Sequence, residues 1–195
     1  MGEALMGDCY TQGWGVVKNA GIAFWWHEKA AEAGWAQAQF NIGVDYMTGL
    51  GVEKHLEEAI KWFRKAADND NQYAEYQLGL LYVTGNGLPA DPAEGARWFR
   101  FSALQGNPYG ENAYGYALAT GAGVDKDVVE AYKWYTLAMS QHKEVDPLVR
   151  ATGNMRALTP QMTPEQIEEG KKRAAEFAPK GPRQEEAETM EINLG

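Results

Sequence analysis

The chain has 195 residues, 45% of them hydrophobic, and a formal net charge of -9. The apolar share supports a folded core, and the acidic balance argues against nonspecific nucleic-acid binding and against docking on an anionic membrane. Cys9 is the only cysteine, so no internal disulfide can form.

The opening stretch "MGEALMGDCY" lacks the basic start and apolar centre of a secretory leader. Read as given, the chain is expected in the cytoplasm; a leader upstream of Met1 would instead send it to the periplasm or outside. No apolar run is long enough for a membrane span, so no membrane insertion is expected. The first predicted helix ends at Gly13 and Gly15, and Asn19 caps the second. Next, "WAQAQFNIGVDYMTG" places Ala38, Ile42 and Tyr46, with Ala36 and Gly43, on adjoining faces at helical spacing. Gly43 in mid-helix costs about 1 kcal/mol against Ala, so a neighbouring helix is expected to approach closely there. Gly49 and Gly51 end that helix and turn the chain, because glycine adopts the left-handed conformation without Cβ strain. His55 begins a second helix with a weak cap. Its Ala59, Trp62, Phe63, Ala66 and Ala67 form a stripe, and both rings are expected to be mostly buried.

Later elements repeat this plan. Asp91-Pro92-Ala93-Glu94 is a cap, a first-turn proline and a third-position glutamate, and Asp127-Val128-Val129-Glu130 follows it. Asp146-Pro147 opens one terminal helix, and Thr163-Pro164-Glu165-Gln166 opens another with a capping box. Residues 179–195 are rich in Pro, Gly and Glu and read as a flexible acidic tail.

The elements recur with a period of 36 residues, seen in Trp26, Trp62, Trp98 and Trp134. Gly7, Gly43, Gly79 and Gly115 keep the same step, as do Gly13, Gly49, Gly85 and Gly121, and Gly15, Gly51, Gly87 and Gly123. The units run 1–34, 35–70, 71–106 and 107–142, with capping helices in 143–178. Tyr10, Tyr46 and Tyr82 are in phase, with Leu118 in the fourth place.

The pattern G-x-x-Y-x-x-G-x-G-V followed by A-x-x-W-[FY]-x-x-A-A-x-x-G resembles the Sel1-like repeat, a relative of the tetratricopeptide repeat. The resemblance covers about residues 1–142. It implies an all-α fold, a right-handed α-solenoid of helix-turn-helix units closed by a C-terminal pair of capping helices. His27 departs from the aromatic after Trp. Phe101 and Ser102 interrupt the tail of unit 3, a departure expected to loosen one packing layer. Some cysteine-rich relatives are linked to β-lactam binding, but they carry a cysteine pair per repeat, and that activity does not transfer to a chain with one.

Candidate chemistry is thin. His27, His55 and His142 fall at different unit positions, and Cys9 lacks partners at metal-ligand spacing. "GLGVEKH" and "GAGVDKD" are glycine-rich but lack a preceding strand and the phosphate-binding Lys-Ser/Thr, so they read as turns. No enzyme, cofactor or metal is expected. By resemblance, the first helix of each unit lines a concave face at four positions: six before, three before, one after and four after the repeat glycine. These are Gln37, Phe40, Val44 and Met47 in unit 2, Tyr73, Tyr76, Leu80 and Val83 in unit 3, and Tyr109, Asn112, Tyr116 and Ala119 in unit 4. Tyrosine combines contact area with a hydrogen-bonding tip, so the row is expected to hold a protein or peptide ligand unless the rings instead pack between neighbouring first helices. The expected function is a non-enzymatic interaction scaffold, acting as a monomer. The alternatives are a hydrolase or small-ligand enzyme built on the scaffold, or a purely structural segment of a longer protein.

Overall fold

The computed structural model describes residues 2–140 and 145–179; His142 and the tail from residue 180 lie outside them. Ten α-helices and a short 3-10 turn, Thr159–Gln161, make up the described regular structure. They are α1 (Gly2–Gln12), α2 (Ala20–Glu32), α3 (Ala36–Thr48), α4 (Leu56–Asp68), α5 (Gln72–Thr84), α6 (Pro92–Leu104), α7 (Pro108–Thr120), α8 (Val128–Ser140), α9 (Val145–Leu158) and α10 (Pro164–Glu176). Consecutive helices pack as hairpins, α1 with α2 through α7 with α8, and each second helix also packs on the next first helix. This is an α-solenoid of four helix-turn-helix units. α9 follows α8 as another first helix would and touches α7, whereas α10 lies along α8.

Local chemistry sets the helix ends. Asn19, Asp91 and Asp127 accept hydrogen bonds from backbone N–H groups of the first turn, and His55 does so more weakly at 3.4 Å. Asn71 and Asn107 cap α5 and α7 in the same way, a signal not read from the sequence. Thr163 and Gln166 form the expected capping box. Asp146 instead lies inside the first turn of α9, where it pairs with Arg150 at 3.1 Å.

The mid-helix glycines are seats for rings. A Cβ on Gly43 would meet the Phe63 ring at 2.6 Å, and one on Gly115 would meet Tyr135 at 2.9 Å. Gly79 faces Phe99 and Gly7 faces His27 in the same manner. The loop glycines serve a second contact. Gly51, Gly87 and Gly123 have φ of 78°, 76° and 79°, and each abuts the first residue of the preceding unit's second helix: Ala20, Leu56 and Pro92. For Gly51 and Gly123 the neighbour is backbone, which no side-chain rotation relieves.

Burial divides the aromatic pair differently from expectation. Phe63 is fully buried, whereas Trp62 is half-buried. Its indole packs on one side against the Ala30, Ala31, Ala38 and Ile42 cluster, and Lys65 lies 3.9 Å above the ring centre. In unit 2 the tryptophan ring is thus covered on the side of that cluster and stays partly open elsewhere. Trp134 is fully buried because α10 adds Phe177 at 5.1 Å. The layer at Phe101 and Ser102 is not loosened. Ser102 replaces the alanine of the other units, and Gly110 opposite replaces Ala74, so volume is exchanged across the contact. The Ser102 hydroxyl donates to the Gln72 carbonyl at 2.7 Å, and Phe101 is buried edge-on to Trp98.

Phe63→Ala should cost about 3–5 kcal/mol in chemical denaturation, and Trp62→Ala distinctly less; equal losses would contradict the division of burial. Burial also pushes the Glu111 carboxyl up from 4.5 to about 8. Between those values the folded chain keeps a proton that the unfolded chain has released, so this group makes stability fall as pH rises through that window. Glu111→Gln should flatten the fall when urea midpoints are measured from mildly acidic to mildly basic pH, and an unchanged slope would refute the assignment.

Candidate functional site

The sequence-derived row lies on α3, α5 and α7, and none of its twelve members is fully buried. Gln37, Val83 and Tyr116 are exposed; Phe40, Val44, Met47, Tyr73, Tyr76, Leu80, Tyr109, Asn112 and Ala119 are half-buried. Four of the rings meet in pairs across successive first helices. Phe40 and Tyr73 lie 6.0 Å apart between centroids, and Tyr76 and Tyr109 lie 5.5 Å apart, both tilted. Each pair joins the position three before one repeat glycine to the position six before the next. Phe40 and Tyr76 also touch the buried rings Phe63 and Phe99, each at 5.8 Å. The aromatics therefore tie first helices together while keeping part of each ring in solvent.

Polar members extend the row. Gln37 donates to Asn41 at 3.0 Å and accepts from Asn71 at 3.3 Å. Gln77 reaches the Met47 sulfur at 3.4 Å. In unit 4, Asn112 accepts from Asn154 of α9 at 2.9 Å, so α9 continues the contact between first helices. α9 also brings Arg150 and Asp146 within electrostatic reach of the tyrosines. Burial raises the Tyr76 hydroxyl, Arg150 lowers it and Asp146 raises it. Arg150 is itself held higher by its bond to Asp146 and by Tyr76 and Tyr109. Sequence reasoning treated α9 as a cap and missed this charged end; the Asp146–Arg150 spacing of four was the available signal.

The most concentrated polar cluster lies elsewhere, at His27. This ring is buried where units 2 to 4 carry Phe63, Phe99 and Tyr135. Its Nδ1 lies 3.1 Å from the buried carboxylate of Asp45, and its Nε2 lies 3.5 Å from Asp8. Asn41 bridges Asp8 and His27 at 3.5 Å to each. The imidazole fills the Gly7 seat and takes its polar partners from α1 and α3, which is a packing role. Among the described residues no group of three or more His, Cys, Asp and Glu side chains could hold a metal ion.

Repeated helix hairpins joined through a ring-bearing seat place the chain among helical-repeat solenoid proteins. The family model of the Sel1 repeat matches residues 1–35, 36–71, 72–107 and 108–142, and the chain belongs to the Sel1 repeat family. Among solved structures it is similar to a protective antigen present in uropathogenic Escherichia coli strains, described as displaying an SLR fold. That match has a TM-score of 0.80 and 30% identity and covers 100% of this chain but 40% of the antigen. It is also similar to a Sel1 repeat protein from Oxalobacter formigenes, with a TM-score of 0.70 and 32% identity, over 90% of this chain and 72% of that one. No curated protein matches. Sel1 repeat proteins are generally non-enzymatic protein-interaction scaffolds.

His27→Phe should fit the ring seat yet strand the buried Asp45 carboxylate, costing about 1–3 kcal/mol. His27→Phe with Asp45→Leu copies the residues of unit 3, Phe99 with Leu81, and should recover most of that loss in thermal melts. A single substitution that costs nothing would show that the cluster does not stabilise unit 1.

Proposed function

We propose that the chain is a non-enzymatic scaffold that holds an extended or helical peptide segment of a protein partner on its first-helix face, the concave side of the array. The observation that carries this reading is the row of half-exposed aromatics, Phe40 with Tyr73 and Tyr76 with Tyr109, continuing to exposed Tyr116. Tilted ring pairs hold their exposed faces in place before a ligand arrives, so little side-chain entropy is lost on binding. Tyr116 is 54% exposed and carries the most open ring of the row. The Arg150–Asp146 pair at the end of the row is exposed, and it offers a charged contact beside the tyrosines. The amide groups of Gln37, Asn41 and Gln77 supply hydrogen-bonding capacity along the same face. This mix of rings and neutral amides suits a peptide backbone and its side chains, and the net charge of -9 disfavours a polyanion.

A peptide selected from a display library on the immobilised chain should lose about tenfold or more in affinity on Tyr116→Ala, which removes an exposed ring. Tyr73→Ala, Tyr76→Ala and Tyr109→Ala together should abolish binding. Calorimetry measures the affinity, and circular dichroism checks that helical content survives. Undiminished binding in both variants would refute the first-helix site.

A further inference from the structure

The hydroxyl of Tyr135 has no counterpart in units 2 and 3, where the same seat holds Phe63 and Phe99. Tyr135 is 1% exposed, and its hydroxyl makes no hydrogen bond with any described residue. Burying a hydroxyl without a partner costs free energy, and phenylalanine would fill the seat without that cost. Unit 4 also lacks the ring that covers this seat elsewhere. Phe40 and Tyr76 lie 5.8 Å from Phe63 and Phe99, whereas the same repeat position in unit 4 is Asn112. The Asn112 side chain accepts from Asn154 of α9 instead.

A cavity of about 110 Å³ lies at this junction of α7, α8 and α9, with Tyr116, Ala119, Tyr135, Asn154, Leu158 and Gln161 in its wall. Its mouth opens between the exposed residues Tyr116 and Gln161. A drug-sized ligand takes roughly 300 Å³ or more, so this space suits a single side chain. Burial and the neighbouring Tyr116 hydroxyl push the Tyr135 phenol up, so it stays a neutral donor with its tip toward Tyr116. Asn154 and Gln161 each spend an N–H, on Asn112 at 2.9 Å and on the Ala157 carbonyl at 3.0 Å. Their side-chain carbonyl oxygens remain as acceptors. Among the described residues no charged side chain lines the cavity.

We propose that this cavity takes one side chain of the bound peptide, the carboxamide of an asparagine or glutamine. This rests on the first-helix reading above, because Tyr116 belongs both to that face and to the cavity. The Tyr135 and Tyr116 hydroxyls donate to the carboxamide oxygen. The Asn154 and Gln161 oxygens accept from its NH2 group, and Ala119 and Leu158 flank its methylenes. Other side chains fit this chemistry less well. A carboxylate would meet two acceptor oxygens and no cation, and an ammonium would find no countercharge. An apolar side chain would leave the Tyr135 hydroxyl buried without a partner. The cavity therefore selects one residue of the peptide, whereas the aromatic row supplies contact area.

Propionamide, a mimic of the glutamine tip, is titrated into the full chain while the Ala119 and Ala157 methyl signals are followed by NMR. They should shift to saturation with propionamide and not with propionate. Tyr135→Phe copies units 2 and 3, so the fold should tolerate it, and it should weaken the propionamide response. A peptide selected from a display library on the chain should carry Asn or Gln at one fixed position. Tyr135→Phe should weaken that peptide by about tenfold, and should change nothing once the Asn or Gln is replaced by leucine. No saturable propionamide shift would mean a cavity filled by water alone and overturns the proposal. So does a loss on Tyr135→Phe that persists with the leucine peptide. A peptide that needs Tyr73, Tyr76 and Tyr109 but ignores Tyr135→Phe overturns the cavity's role and leaves the first-helix reading standing. A peptide indifferent to those three tyrosines, or a library without binders, overturns that reading and this one with it.

Discussion

A ring from each second helix lies against a glycine in the middle of its own first helix, with no room for a methyl group between them. Gly7, Gly43, Gly79 and Gly115 receive His27, Phe63, Phe99 and Tyr135. Each glycine costs about 1 kcal/mol of helix propensity, and full burial of a large apolar ring offsets this by about 1.5–3 kcal/mol. The second helix also packs on the next unit: Ala59, Ala66 and Ala67 of α4 are fully buried in one cluster with Ala74 and Leu78 of α5. Helix spacing within a unit and the choice of rings answer to the ring–glycine contact. Where the ring is polar, as with His27, the surrounding positions change to match, and Asp45 appears where later units have Leu81 and Ala117.

Much of this fold is legible in the sequence because the period repeats every local signal. A single mid-helix glycine is ambiguous, but four in phase with a ring in the next helix imply a close approach. The loop glycines were equally readable, since their positive φ is a backbone demand that only glycine meets cheaply. Compensation across a contact was not readable. Ser102 looks like a defect until Gly110 is found opposite it. The relative burial of Trp62 and Phe63 was also hidden, because neighbours in one helix face directions about 100° apart and only the stacking of units decides which is covered.

The surface positions of the proposed interaction face were legible in outline. Counting from the repeat glycine picked out surface and half-buried positions on the first helices, including the rings that meet across units. The pairing itself was open, because it depends on how far one first helix is offset from the next. The charged end supplied by α9 was missed because α9 lacks the repeat glycines. Its Asn154 nonetheless meets Asn112 much as Tyr109 meets Tyr76. A helix outside the repeat pattern has thus taken up a position within it, and the face extends past the last recognisable unit.

The loop glycines that abut Ala20, Leu56 and Pro92 have an evolutionary consequence. They gauge the step from unit to unit largely through main chain, so the pitch of the array does not depend on which side chains decorate its faces. Surface character and the step between units can thereby vary separately. A face can change character in one unit, as unit 4 does with Asn112 where units 2 and 3 carry Phe40 and Tyr76, without its neighbours having to be rebuilt. Gain or loss of a whole 36-residue unit would move the surface by one step and leave the loop-glycine contacts of the remaining units as they were.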